Sequence, residues 1–303
     1  MDMLAPTLSK LFFSNALALF LATALGAQAP APTHPASTTL EPPPTPAQTS
    51  ASSDLPLNPA LPTIFIVGDS TARNQADLGW GDHFAAYFDL AQVNIANRAI
   101  AGRSSRTYIH EGAWDKVLAE IKRGDFVLIQ MGHNDGGALD GAKPRGSLKD
   151  IGDESQQVTL LNGDQELVHT YGWYIRKYIA DTRAEGATPL LLTLTVRNIW
   201  TAAPGGSQRI EHDMGYNDFL RQIAAAERIP LLDMGRLEAD ALEKLGPEQT
   251  ARLFPIDHTH TSAEGADLNA RCVARAIAES GSPIAAWERT VSLHNQFEGA
   301  QDK

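Results

Sequence analysis

Four short polar blocks hold the residues most capable of chemistry: Gly68-Asp69-Ser70-Thr71, Asn97 to Gly102, Gly132-His133-Asn134-Asp135 and Asp257-His258-Thr259-His260. A serine alcohol is inert until a neighbouring base takes its proton. Ser70 is the candidate nucleophile and His260 the candidate base. Asp257, three residues earlier on the same loop, can accept from the imidazole Nδ1 while Nε2 faces the serine. The side-chain amide of Asn134 and the backbone N–H groups of Ser70 and Gly102 are candidate donors for an oxyanion formed during attack on a carbonyl. Asp69 reads as a turn-stabilising carboxylate. Asp257, His258 and His260 also have metal-ligand chemistry, but the serine reading is preferred, and no metal or other cofactor is expected.

The elements that must position these blocks are apolar runs ending just before them. Ile64 to Val67, Val93 to Ala96, Phe126 to Ile129 and Leu190 to Leu194 are continuous runs suited to strands buried on both faces, and Ile229 to Leu232 adds a fifth. Helical spacing lies between and after them, over about 81–90, 114–122, 170–185, 213–227 and 262–280. Alternation of strand and helix requires right-handed crossovers and a parallel sheet covered on both sides. The expected fold is therefore α/β, a three-layer α/β/α sandwich with a five-stranded parallel sheet. In such sheets the ligand crevice lies beyond the carboxyl ends of the strands, where the polar blocks stand. Gly136 to His169 is a long, polar, glycine-rich insertion that either covers this crevice or is a plain solvated loop.

Lys10 precedes an apolar run from Leu11 to Gly26, short for a membrane span and followed by small-residue cleavage patterns, so residues 1–29 read as a secretory signal peptide. The proline-rich, Ala/Thr/Ser-rich stretch 30–61 cannot bury a core and reads as a linker. One domain is expected over 62–303. The chain has 303 residues and a formal net charge of −11, which repels phosphate backbones and argues against nucleic-acid binding. Its lone cysteine, Cys272, lies on the apolar face of a helical pattern and is expected to be a buried thiol. A secreted or periplasmic monomer without stable membrane insertion is expected.

Ser70, Gly102, Asn134 and His260 occur in the order of the four blocks of the SGNH/GDSL hydrolases, which the chain resembles. Within that family it is similar to the rhamnogalacturonan acetylesterase group, through Gly68 to Ala72, Asn97 to Thr107, Gly132 to Asp135 and Asp257 to Ser262. The resemblance implies a flavodoxin-like sheet, a metal-free serine esterase, and removal of acetyl groups from plant cell-wall polysaccharide, often pectin. Arg98, Arg103 and Arg106 form a basic stretch suited to a carboxylate-bearing substrate, and Arg103 and Arg106 are the candidate contacts. His258 and Trp80 are the candidate sugar contacts. Acetylxylan or a lipid ester is the rival substrate, because the triad reads the carbonyl and leaves the alcohol to the loops. A non-catalytic flavodoxin-like module binding phosphate or flavin on the 68–74 loop is the rival of another class, and it gives His260 no purpose.

Overall fold

A computed structural model describes residues 56–289. The expected signal peptide, most of the expected linker and the last residues of the chain lie outside the described residues. In chain order the strands are β1 (Thr63–Gly68), β2 (Asn94–Asn97), β3 (Phe126–Gln130), β4 (Ser155–Thr159), β5 (Gln165–His169), β6 (Thr188–Leu192), β7 (Trp200–Ala202), β8 (Gln208–Ile210) and β9 (Leu231–Leu232). The helices are α1 (Trp80–His83), α2 (Ser105–His110), α3 (Ala113–Leu118), α4 (Tyr171–Ala184), α5 (Asn217–Glu227), α6 (Met234–Leu253) and α7 (Ala263–Ser280).

Five strands form one parallel sheet in the order β2-β1-β3-β6-β9, with Ile64 beside Ile95, Leu128 beside Leu190 and Leu192 beside Leu232. Both faces are buried, which is why these strands are written as unbroken apolar runs. Ile64, Ile66, Leu128, Leu190 and Leu192 pack with Ala270, Val273, Ala274 and Ile277 of α7. The alternate residues Phe65, Val67, Val127, Ile129 and Leu191 pack with Trp114 of α3, with Ile175, Tyr178 and Ile179 of α4, and with Leu220 and Ile223 of α5. Each such aliphatic side chain contributes about 1.5–3 kcal/mol by leaving water. The five-stranded α/β/α sandwich expected from the sequence is the fold observed, and Cys272 is a buried free thiol.

The pattern 81–90 resolves into the single turn α1 followed by a 3₁₀ turn, Phe84–Tyr87, in which the Phe84 ring lies edge-on to Trp80 and tilted against Phe88. The pattern 114–122 is shorter than expected, as α3, and α2 precedes it. Helix α6 was not read from the sequence because Gly246, with φ +77, and Pro247 interrupt it. The hairpins β4–β5 and β7–β8 were also missed, since their strands are largely exposed and carry little apolar alternation.

Glu238 of α6 ties the sheet edge to the loop after β6. Its Oε2 accepts from the Val196 N–H at 2.8 Å, inside the protein. Its Oε1 and the Oδ1 of neighbouring Asn269 are both buried acceptors without a donor. Burial, only partly opposed by hydrogen bonding from Val196 and Asn269, raises the Glu238 pKa to about 8. The unfolded chain releases the carboxyl proton near the ordinary value of 4.5. This group's stabilisation is therefore complete below about 4.5 and is lost as pH rises through about 8. Denaturant melts across that window should show wild-type stability falling more steeply with pH than that of Glu238→Gln, by a few kcal/mol; parallel curves would contradict a protonated Glu238.

Candidate active site

The carboxyl edge of the sheet is held by one buried amide. Gln130, the last residue of β3, accepts at Oε1 from Trp80 Nε1 (2.7 Å) and Thr71 Oγ1 (3.3 Å), and its Nε2 donates to the Thr193 carbonyl at 2.9 Å. The turn after β1 is also closed by Asp69, whose Oδ1 accepts from the Thr71 N–H at 2.9 Å and, at 3.0 Å, shares the one Thr71 hydroxyl hydrogen with Gln130 Oε1. Gly81 lies so close to this turn that a Cβ would stand 2.7 Å from the Ala72 carbonyl oxygen and 2.5 Å from Asn97 Nδ2. Ser70 is thereby presented, half-buried, on a braced turn.

Ser70 Oγ lies 2.9 Å from His260 Nε2, although 190 positions separate them. His260 Nδ1 lies 2.7 Å from Asp257 Oδ2. Asp257 Oδ1 accepts from the backbone N–H groups of Thr259 (2.7 Å) and His260 (2.8 Å), so one carboxylate orients both the loop and the ring. Burial acts to raise the Asp257 pKa, but the bonds from His260 and Thr259 outweigh it and hold it lowered to about 2. The carboxylate thus stays charged to accept from Nδ1, which leaves Nε2 as the acceptor facing Ser70.

Three donors stand beside Ser70. Within the described residues, no acceptor takes the N–H of Ser70 or of Gly102. Gly102 has φ +79, and a Cβ there would meet nothing within 4 Å, so conformation rather than space calls for glycine. Asn134 Nδ2 donates one hydrogen to the Arg103 carbonyl at 2.8 Å, which aims the amide and leaves its second hydrogen for the cleft. His133 Nε2 is 2.9 Å from Thr195 Oγ1, and burial lowers its pKa to about 4, so this imidazole is neutral at neutral pH. Beneath them Asp135 accepts from the N–H and hydroxyl of Ser105 and from Ser147 Oγ (3.0 Å), pinning α2 to the insertion.

A cleft of about 550 Å³ opens over this group, lined by Ser70, Asn74, Gly102, His133, Asn134, Arg145, Arg197, Ile256 and His260 among others. The residues expected to contact substrate are not in its lining. Trp80 is fully buried, its ring edge-on to Phe84 and its Nε1 spent on Gln130, so the expected sugar platform is corrected to a core residue. Arg106 is likewise corrected: its side chain is 1% exposed, it pairs with Glu166 through Nε (2.8 Å) and Nη2 (2.6 Å), and its Nη1 donates to the carbonyls of Leu139 and Gly146. Arg103 is turned to Glu111 at 2.8 Å and serves the site through its carbonyl. His258 is exposed, with Nδ1 2.9 Å from Thr259 Oγ1. Arg145, Arg197 and Ile256 were missed; the insertion and the loop after β6 carry no motif that marks the arginines as site residues. Among the described residues, no group of three or more His, Cys, Asp or Glu side chains is placed to hold a metal ion.

A serine, a histidine and an aspartate hydrogen-bonded in series at the carboxyl edge of a parallel sheet have the geometry of an α/β hydrolase site. The chain belongs to the GDSL-like lipase/acylhydrolase family, whose model matches residues 66–268, and it is a carboxylic ester hydrolase. It is 35% identical to the rhamnogalacturonan acetylesterase of Emericella nidulans, over 72% of this chain and 86% of that one. It is 31% identical to the rhamnogalacturonan acetylesterase RhgT of Bacillus subtilis, over 73% and 91%. The crystal structure of YxiM from Bacillus subtilis shares the fold at TM-score 0.59 and 24% identity, covering 74% of this chain and 58% of that one.

Removing the Arg106 guanidinium strands Glu166 and two carbonyls inside the protein. Arg106→Met should cost about 3–5 kcal/mol in denaturant unfolding, and adding Glu166→Met should recover part of that loss. An unchanged unfolding midpoint in the single variant would contradict the buried anchor.

Proposed function

We propose that this chain is an exported serine esterase removing O-acetyl groups from plant cell-wall polysaccharide, with acetylated rhamnogalacturonan as its substrate. The observation that carries the reading is the unbroken relay from Ser70 Oγ through His260 to Asp257. His260 Nε2 takes the Ser70 proton as Oγ attacks the acetyl carbonyl carbon. The oxygen that becomes negative is held by the N–H groups of Ser70 and Gly102 and by Asn134 Nδ2, and Asp257 stabilises the imidazolium. The imidazolium then protonates the departing sugar oxygen, leaving acetyl on Ser70. Water, deprotonated by the same Nε2, attacks that ester, and as the bond to Oγ breaks the imidazolium returns the proton to Ser70 Oγ and acetate leaves.

The polysaccharide part of the reading is supported by the similarity to two rhamnogalacturonan acetylesterases over most of their length. The export part rests on Lys10 and the apolar run Leu11 to Gly26, with 1–29 as signal and 30–61 as tether. Among the described residues no helix is long and apolar enough to cross a membrane.

Ser70→Ala and His260→Ala should each abolish nearly all hydrolysis of an aryl acetate with the fold intact, and the double variant should be no worse than either single one, because the two act as a unit. A much larger loss in the double variant would break the pairing. Asn134→Ala should lower kcat by about 100- to 1,000-fold with little change in KM, since the donor acts chiefly on the transition state. Acetate release measured on acetylated pectin, xylan and mannan should be highest on pectin, and release confined to xylan or mannan would reassign the substrate.

A further inference from the structure

The arginines in the chain divide sharply by whether a carboxylate answers them. The three of the basic stretch are all paired: Arg98 with Glu120 at 2.6 Å, Arg103 with Glu111 at 2.8 Å and Arg106 with Glu166 at 2.6 Å. Arg145 and Arg197 line the cleft with Ser70 and His260, and among the described residues neither has an ion-pair partner. Arg197 Nη2 makes one long bond to the His133 carbonyl at 3.3 Å, and its Nε is buried without an acceptor. Two cations in one cleft repel each other, and a buried guanidinium N–H without an acceptor is costly. In a chain with 36 acidic side chains to 25 basic ones, leaving both unanswered beside the reactive serine is a cost that a bound anion removes.

Both arginines sit on loops fixed from below. The Arg145 N–H donates to the Ala138 carbonyl at 3.0 Å, and the carbonyl of the next residue, Gly146, accepts from buried Arg106 at 2.9 Å. Val196, preceding Arg197, donates its N–H to buried Glu238, and Thr195 holds the His133 ring. The guanidinium groups are thus carried by braced backbone, which limits the ordering cost of engaging a ligand. A guanidinium matches a carboxylate through paired N–H donors, which a neutral hydroxyl cannot reproduce.

We infer that Arg145 and Arg197 are the specificity-determining residues of this cleft, holding a carboxylate on the alcohol side of the scissile ester, carried by the same sugar as the acetyl group or by its neighbour. The inference rests on the proposed acetylesterase reading and deepens it. It moves anion recognition from the basic stretch after β2 to the insertion after β3 and the loop after β6, with Arg106 as a positioning residue for Arg145.

The test compares acetylated oligogalacturonides bearing free carboxyl groups with the same oligosaccharides methyl-esterified, on the full enzyme. Wild type should prefer the free acid in kcat/KM. Arg145→Gln and Arg197→Gln should each cut that preference about 10-fold, as expected for one charge-assisted hydrogen bond, and the double variant should erase it. Because the preference is a ratio within each variant, a general loss of activity does not alter it. Arg197→Lys should keep part of it, and added salt should weaken it in wild type. A double variant as selective as wild type would overturn the inference. A second measurement separates its failure from that of the proposed function. Galacturonate should inhibit aryl acetate hydrolysis by wild type better than galactose does, and lose that advantage in the double variant. If no acetylated carbohydrate is hydrolysed, the acetylesterase reading fails, and the inhibition by itself then decides whether the arginines hold a carboxylate.

Discussion

The site depends on a single buried amide satisfying three strand ends at once. The carboxyl edge of a parallel sheet exposes polar groups that the ladder no longer pairs, and in this protein that edge is closed over by α1 and the loops. Gln130 answers Thr71, Trp80 and the Thr193 carbonyl together, so the turn bearing Ser70, the first helix and the end of β6 share one fixed reference. An apolar residue there would leave a buried indole N–H and a buried carbonyl unpaired, each costing about 1–3 kcal/mol. The relay between Ser70 and His260 spans elements from opposite ends of the chain, and its 2.9 Å separation is only as good as this bracing.

A second tier of buried polar contacts carries order outward from that hub. Asp135 joins Ser105 at the start of α2 to Ser147 in the insertion, and Arg106, one residue on, joins Glu166 of β5 to the Leu139 and Gly146 carbonyls. Burial acts to raise the Glu166 pKa, but the bonds and charge of Arg106 outweigh it and hold it lowered, so the pair persists as ions. A stretch of polar sequence that could have been a plain solvated loop is instead fastened to the domain and delivers Arg145 to the cleft. On the other rim, buried Glu238 does the same for the loop bearing Arg197 by accepting from the Val196 N–H.

Charge is distributed by the same logic. Acids outnumber bases, so most arginines find carboxylates, and surface pairs such as Arg98 with Glu120 are worth little individually. What matters is where pairing stops. Among the described residues Arg145 and Arg197 line the cleft without carboxylate partners, beside neutral His133, giving an acidic protein a local site of opposite sign. A polyanionic substrate would be repelled by the whole and attracted by the part.

The five sheet strands and the layer order were legible in the sequence, and so was the grouping of Ser70, His260 and Asp257, which the fold brings within hydrogen-bond reach. Two-sided burial writes itself as unbroken apolar runs, and Ser70, Gly102, Asn134 and His260 each sit in a short block whose meaning is local. Asp257 was readable for the same reason, being three residues from its partner. The roles of Arg103, Arg106 and Trp80 were not. A guanidinium reads as free or bound only once its carboxylate is known, and Glu166 is 60 positions from Arg106. Trp80 has the same composition whether it faces sugar or core, and Gln130, 50 positions on, decides it. Helix α6 was hidden by Gly246 and Pro247, and Arg145 and Arg197 stand in stretches with no pattern around them. Local periodicity and short motifs are properties of neighbouring residues, so the chain alone determined them; which charges are neutralised depends on distances between residues far apart in sequence, so only the tertiary structure decided it.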